Sequence, residues 1–195
     1  MIFLALVIIS PVAVASPISL SDFSGSETVI GFDDLTSGTI LTNQYSGSGV
    51  TFQNTSESTS ISDGFPGDAS SAPNVAFTLL NLGGSQEILF STAVNKFGVF
   101  LAGSNGETFL MDVYDTNGLV ESLGGANNAF LGVFSSTNII SIALRSSTNG
   151  FNFVMDDVRF ESSVSAVPVP AAVWLFGTAM IGLIGFGKRK PRIAA

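Results

Sequence analysis

The sequence predicts an all-β protein, an antiparallel β-sandwich of about nine strands that is most simply a jelly roll. First, residues 28–160 contain short stretches in which apolar and polar side chains alternate, as in a strand with one buried face. Second, Gly, Asn, Ser and Asp separate these stretches, as in Ser104-Asn105-Gly106. Third, no helical periodicity interrupts them. The predicted strands are 28–32, 49–52, 75–80, 87–90, 95–102, 107–115, 129–134, 139–146 and 151–160.

One of these strands carries a candidate glycan-binding residue. Alternation within residues 107–115 places Phe109, Met111 and Val113 on one face and Asp112 and Tyr114 on the other. Sugar-binding surfaces usually expose flat aromatic rings. Tyr114 is therefore the candidate for glycan contact, with ordinary packing in the sandwich as the alternative.

Composition excludes several classes of function. Fifteen acidic and only three basic side chains lie between Asp22 and Glu161, so the domain repels phosphate backbones and nucleic acid is not an expected partner. The chain has no Cys and no His, which removes disulfides, thiolate nucleophiles and imidazole bases. Carboxylates remain, but the spacing of Glu57, Glu87, Glu107 and Glu121 brings no two together, so we expect no enzyme.

The N-terminus has the pattern of a secretory signal peptide over residues 1–15. An apolar run is broken by Pro11, and Ala13 and Ala15 supply the small residues that precede a cleavage site before Ser16. The run is too short to span a bilayer. Residues 16–27 are then expected to form a mature N-terminal lead.

The C-terminus has the pattern of a single membrane span. A linker, 162–170, precedes the uncharged stretch 171–187, which as a helix would reach roughly 26 Å, close to a hydrocarbon core of about 30 Å. The tail 188–195 should stay in the cytoplasm and leave the domain outside. Its basic residues are Lys188, Arg189, Lys190 and Arg192.

The residues around this span closely resemble a PEP-CTERM sorting signal of the VPxPA (VPLPA-CTERM-like) variant. The resemblance rests on an ordered motif followed by the Gly-rich span and the basic tail; the motif residues are Val167, Pro168, Val169, Pro170, Ala171, Ala172 and Trp174. It implies that an exosortase of a Gram-negative bacterium recognises the tail. The enzyme would release or transfer the domain from an inner-membrane precursor to the cell surface or extracellular matrix, in a system that accompanies exopolysaccharide production.

A second, more diffuse resemblance covers residues 28–161, the predicted ectodomain. GFDDL (31–35), YSGSGVTF (45–52) and FVMDDVRF (153–160) look like PEP-CTERM ectodomains related to galactose-binding-like jelly rolls. In such folds the first and last strands often bind a structural calcium ion, which implies Asp34 and Asp156 as ligands here.

The residues themselves leave the environment of these two carboxylates open. Alternation puts Asp156 on the face of Val154, Val158 and Phe160, and it puts Asp34 in phase with Ile30 and Phe32. A carboxylate among apolar side chains needs a cation or several donors. Calcium is one solution. Ion pairing with Arg145 or Arg159 is a second, and a bulge that turns the side chain to water is a third.

Two functions are compatible with this organisation. A non-catalytic surface or matrix protein, associated with exopolysaccharide or biofilm, requires the fewest special residues. The alternative is a carbohydrate-binding, lectin-like module of the same surface system. Fold alone does not separate them. Residues 54–74, rich in Ser, Thr, Gly and Pro, are expected to form a long surface connection.

The sorting hypothesis predicts that replacing Pro168 and Pro170 together with Ala leaves the full-length chain in the inner membrane of a host that carries the matching exosortase. The reason is that the two prolines fix the extended approach to the span. Fractionation and intact-mass measurement of the surface form provide the readout. Val169→Ala is the matched control and should be processed normally. Unchanged processing of the double variant contradicts the hypothesis.

Overall fold

A computed structural model describes residues 15–65, 70–81, 83–103, 107–147 and 152–162. Their regular structure consists of ten strands and two single-turn 3-10 helices, Leu20–Asp22 and Ser46–Ser48. The strands are β1 (Ala15–Ile18), β2 (Thr28–Ile30), β3 (Val50–Asn54), β4 (Thr59–Ser62), β5 (Val75–Thr78), β6 (Gln86–Gly103), β7 (Phe109–Asp115), β8 (Gly118–Gly125), β9 (Ala129–Ser146) and β10 (Phe153–Ser162). All of these strands pair antiparallel, so the predicted all-β antiparallel class is confirmed.

Two long strands, β6 and β9, belong to both layers of the sandwich. The first part of β6 pairs with β3 and its second part with β10, and the ladder between β6 and β9 is irregular around Val94. The second part of β9 pairs with β7 and its first part with β1. We call the order β3-β6-β9-β7-β8 sheet 1. Sheet 2 is β4-β5-β10-β6-β9-β1, with β2 also paired to β10.

The core lies between the two sheets. Phe109 of sheet 1 meets Phe153 of sheet 2 with ring centroids 5.5 Å apart, and Phe90 meets Phe160 at 5.3 Å. These rings belong to one continuous cluster of buried side chains. Burial of apolar side chains between two sheets is therefore what holds the layers together, without disulfides.

A bulge in β10 reverses the side-chain alternation that the sequence predicted. Asp157 has a positive φ of 47°, and the register with β6 shifts between Asp156 and Arg159. Val158 and Phe160 therefore face the core, whereas Val154 belongs to a separate cluster on the other side of sheet 2. The prediction that Asp156 shares a face with Val158 and Phe160 is wrong for this reason. Asp156 lies on the outer face with Val154.

Close contact between strands and an aromatic ring shapes the outer face of sheet 2. Gly98 of β6 lies opposite Gly132 of β9. A Cβ on Gly98 would be 2.2 Å from Cζ of Phe130, and one on Gly132 would be 2.7 Å from its Cε1. The Phe130 ring thus lies directly on the backbone of both strands, and Phe23 packs edge-on against it at 6.1 Å.

The segment that follows β1 is fastened to the same face. The Lys96 ammonium donates to the backbone oxygen of Asp22 at 2.7 Å and pairs with Glu161 at 3.0 Å. Arg159 pairs with Glu27 at 3.1 Å. The sequence analysis expected residues 16–27 to form an N-terminal lead. They instead include most of the paired strand β1 and are attached to sheet 2 at Asp22 and Glu27.

A further strand lies within residues 54–74, which the sequence analysis treated as one surface connection. β4 pairs with β5 from Thr59↔Thr78 to Ser62↔Val75. The stretch is therefore structured in part. The sequence did not predict β4 because Thr, Ser, Ile and Ser show no clear alternation of apolar and polar side chains.

Replacing Gly98 with Ala should lower the free energy of unfolding by about 1–3 kcal/mol, because the new methyl group overlaps the Phe130 ring. Gly124→Ala is the matched control: a Cβ there meets no atom within 4 Å, and the effect should stay within about 0.5 kcal/mol. Urea unfolding of the full-length chain measures both. Equal effects of the two substitutions contradict the described packing.

Candidate functional site

The outer face of sheet 1 presents polar side chains in rows that cross five strands. Strand register places Gln53 of β3 opposite Glu87 of β6, and Glu87 opposite Ala143 of β9. Ala143 lies opposite Asp112 of β7, which lies opposite Ser122 of β8. Acceptor and donor groups therefore follow one line across the whole face. We call the outer side of sheet 1 the polar face.

Tyr114 lies in the neighbouring row of the polar face. Its partners in register are Ser141 of β9 and Leu119 of β8, and Leu89 of β6 is opposite Ser141. Tyr114 is half-buried and Leu119 is 58% exposed. Tyr114 thus lies on the solvent side of its strand, opposite to Met111, as the alternation predicted.

A hydrogen-bonded ion pair fixes the charged groups of the polar face. The Arg145 Nε donates to Asp112 Oδ2 at 2.8 Å, and its second nitrogen, NH2, donates to Asp112 Oδ1 at 3.2 Å. The Ser122 hydroxyl donates to the same carboxylate at 2.5 Å. The hydrogen bond to Asp112 raises the pKa of Arg145. The ion pair holds the guanidinium plane in one orientation, and 41% of the Arg145 side chain is exposed to solvent.

Every cation in the described part of the chain is paired with a carboxylate. These pairs are Lys96–Glu161, Arg145–Asp112 and Arg159–Glu27. The remaining acidic side chains leave the described surface negative. Such a surface disfavours direct binding of an anionic polymer.

Asp156 is fully buried and is satisfied by hydrogen-bond donors. Its Oδ2 accepts from the backbone N–H of Ser70 at 2.9 Å and of Ser71 at 2.8 Å, and its Oδ1 accepts from the N–H of Asp157 at 2.8 Å. Burial raises the pKa of Asp156, and the N–H donors of Ser71 and Asp157 oppose that rise. Arg145 and Arg159 pair elsewhere, so neither is its principal partner. The carboxylate fastens the chain at residues 70–71 to β10.

Asp34 lies in a different environment. β2 ends at Ile30 and Phe32 has a positive φ of 63°, so the predicted strand phase does not extend to Asp34, which is exposed. Its Oδ1 accepts a hydrogen bond from the Tyr45 hydroxyl. Burial, together with this carboxylate, raises the pKa of Tyr45.

The described residues do not fit a calcium ion held by Asp34 and Asp156. N–H groups point at Asp156, and such groups repel a cation instead of completing its oxygen shell. Among the residues that the structure describes, no group of three or more Asp and Glu side chains is placed to hold a metal. Calcium at these two positions remains a prediction from the sequence, and the described hydrogen bonds already satisfy Asp156 without it.

The four glutamates considered for acid–base work do not form a pair in one environment. Glu57 and Glu121 are exposed and Glu87 is half-buried on the polar face. Glu107 is 7% exposed, and neither of its carboxylate oxygens has a hydrogen-bond partner among the described residues. Burial raises the pKa of Glu107.

The terminal segments lie mostly outside the described residues. These include Ala13 of the signal sequence, the sorting motif at 167–172 with Trp174, the span 171–187 and the basic residues of the tail. Ala15 and Ser16, on either side of the predicted signal cleavage, form the start of β1. The helices among the described residues are too short to cross a membrane.

Comparison with known proteins adds structural neighbours only. No protein-family model matches the chain, and no curated protein matches it. Among solved structures, TmCBM61 in complex with β-1,4-galactotriose is 15% identical over 58% of this chain and 88% of that one, with a TM-score of 0.39. The CBM22-1 xylan-binding domain of Paenibacillus barcinonensis Xyn10C is 9% identical over 65% and 96%, with a TM-score of 0.40.

A third neighbour is the pair of CBM22-1 and GH10 modules of Clostridium thermocellum Xyn10B, complexed with xylohexaose. It is 11% identical over 71% of this chain and 28% of that one, with a TM-score of 0.45. The structural neighbours of this chain thus include carbohydrate-binding modules.

Asp156→Asn should lower the free energy of unfolding of the full-length chain by about 1–3 kcal/mol, because an amide nitrogen would face backbone N–H donors. Asp34→Asn keeps an acceptor for Tyr45 and should stay within about 0.5 kcal/mol of the wild type. A chelator should leave the melting temperature of all three proteins unchanged. Equal destabilisation by both substitutions, with a chelator-induced loss in the wild type alone, would instead establish a shared metal.

Proposed function

We propose that this chain is a non-catalytic, exported surface protein whose sandwich binds neutral polysaccharide along the polar face. The observation that carries the proposal is the polar face itself, on which Tyr114 and the Arg145–Asp112 pair lie beside Glu87 and Gln53. Sheet 1 has five strands, so the face extends over four strand spacings, roughly 19 Å. That length fits a segment of a glycan chain and exceeds a single ring.

The chemistry of the polar face suits sugar hydroxyl groups. Glu87 is an acceptor, Arg145 is a donor held in place by Asp112, and the Gln53 amide supplies both. The ring of Tyr114 offers an apolar surface for the C–H face of a pyranose. Because each described cation is already paired, a neutral glycan fits this face better than an anionic one.

The proposal includes the route to the surface. The signal sequence at 1–15 and the VPVPAA motif at 167–172 support export followed by exosortase processing of an inner-membrane precursor. The polysaccharide partner would then be met at the cell surface or in the extracellular matrix. We place the sandwich among galactose-binding-like jelly rolls, on the resemblance of residues 28–161 and the antiparallel pairing of its described strands.

The proposal treats the chain as non-catalytic. Hydrolysis of a glycoside requires two carboxyl groups on either side of the bond. On the polar face, Asp112 is tied to Arg145 and Ser122, which leaves it unsuited as a nucleophile or base.

A glycan array probed with the full-length chain in lipid nanodiscs should show saturable binding to neutral polysaccharides. Tyr114→Ala should weaken that binding roughly tenfold, because one aromatic contact is worth about 1 kcal/mol or more, while Tyr114→Phe should keep most of it. Val29→Ala, at an exposed position of β2 in sheet 2, is the control and should bind normally. Absence of binding, or binding that Tyr114→Ala leaves intact, contradicts the proposal and favours a purely structural surface protein.

A further inference from the structure

An apolar cluster lies on the outer face of sheet 2, where a sandwich normally exposes polar side chains. Val75 of β5, Ala102 of β6 and Val154 of β10 are buried there, separate from the main core. Phe65 and Phe77 pack against this cluster. The polar face belongs to sheet 1, so this feature is a distinct part of the surface.

The two phenylalanines form an aromatic wall. Their rings stack with centroids 4.8 Å apart and planes inclined by 25°. Phe77 is on β5, whereas Phe65 follows β4 in the segment whose far end, at Ser70 and Ser71, is fastened to Asp156. Both rings are only half-buried, so part of the wall remains accessible.

A cleft of about 270 Å³ lies beside this wall. Small groups, Ala102 and the backbone of Gly103, form its floor together with Val154, and Asn152 stands at its rim. For comparison, a cavity of about 150 Å³ accommodates benzene. The cleft therefore has room for one six-membered ring with its substituents.

We propose that this cleft binds a single pyranose ring without negative charge, as found at the end of a glycan chain. The aromatic wall suits the C–H face of the sugar. The Asn152 side chain, whose oxygen accepts the N–H of Leu80 at 3.1 Å, offers a fixed amide to a hydroxyl group. The site is separate from the polar face and does not depend on it.

Charge around the cleft selects against acidic sugars. None of the side chains that line its described part is charged. Two acids of the described chain lie close to it: Asp156, two residues from Val154 on the same face, and the buried Glu107, whose Oε2 would lie 2.9 Å from a Cβ on Gly103. Both disfavour a carboxylate on the ligand.

Saturation-transfer NMR tests the cleft with small probes on the full-length chain in lipid nanodiscs. The probes are the methyl glycosides of glucose, galactose, mannose and xylose, with methyl glucuronide as the anionic comparison and cyclohexanol as the apolar one. At least one neutral glycoside should bind. Phe65→Ala and Phe65→Leu should both weaken it roughly tenfold, because each removes the flat ring while Leu keeps apolar bulk.

The controls separate this site from the polar face. Thermal unfolding should show that both Phe65 variants retain the wild-type fold, and the monosaccharide binding that Phe65→Leu weakens should persist in Tyr114→Ala. Loss on Tyr114→Ala with no loss on Phe65→Leu overturns the cleft proposal and assigns the sugar to the polar face. Stronger binding of cyclohexanol or glucuronide than of every neutral glycoside also overturns it.

Discussion

The buried carboxylate of Asp156 connects two parts of this molecule that are distant in sequence. It lies on the outer face of sheet 2 with Val154, where the N–H groups of Ser70 and Ser71 bind it, and the bulge at Asp157 adds a third N–H donor. That contact joins the chain after β4 to the last strand, across 86 positions in sequence for Ser70. An unpaired carboxylate in this place would be costly, so the donors and the bulge have to occur together.

The two long strands explain why the molecule has two separate candidate surfaces. β6 and β9 pass from one layer to the other, so the same strands supply Glu87 and Arg145 to the polar face and Ala102 to the cleft. The polar face is built from hydrogen-bonding groups and one aromatic ring, whereas the cleft is built from small and aromatic apolar groups. The polar face suits a chain of sugars, and the cleft suits a single ring.

Alternation in the sequence was sufficient where strands are regular. It correctly separated Tyr114 from Met111, because β7 pairs with β9 without a register shift between them. It failed at Asp156, where a bulge reverses the phase, and at Asp34, where β2 has already ended. Asp157 and Phe32 both have a positive φ, but neither is a Gly, so their residue types gave no sign of that conformation.

Contacts between distant positions could not be obtained from the sequence. Arg145 and Asp112 are 33 residues apart, and Phe65 meets Phe77 only because β4 pairs with β5. The sequence shows the types of these residues, but it does not show the strand register that brings them together. The apolar cleft likewise depends on two small residues, Ala102 and Gly103, beneath larger ones.

Hydroxyl-radical footprinting of the full-length chain, with and without a bound neutral polysaccharide, tests most directly whether the polar face is the glycan-binding surface. Oxidation of Tyr114, Leu89 and Leu119 should fall when the polysaccharide binds. Val29, which is exposed on β2 of sheet 2, should be oxidised to the same extent in both samples. Unchanged oxidation of Tyr114 and both leucines in the saturated complex would contradict the account.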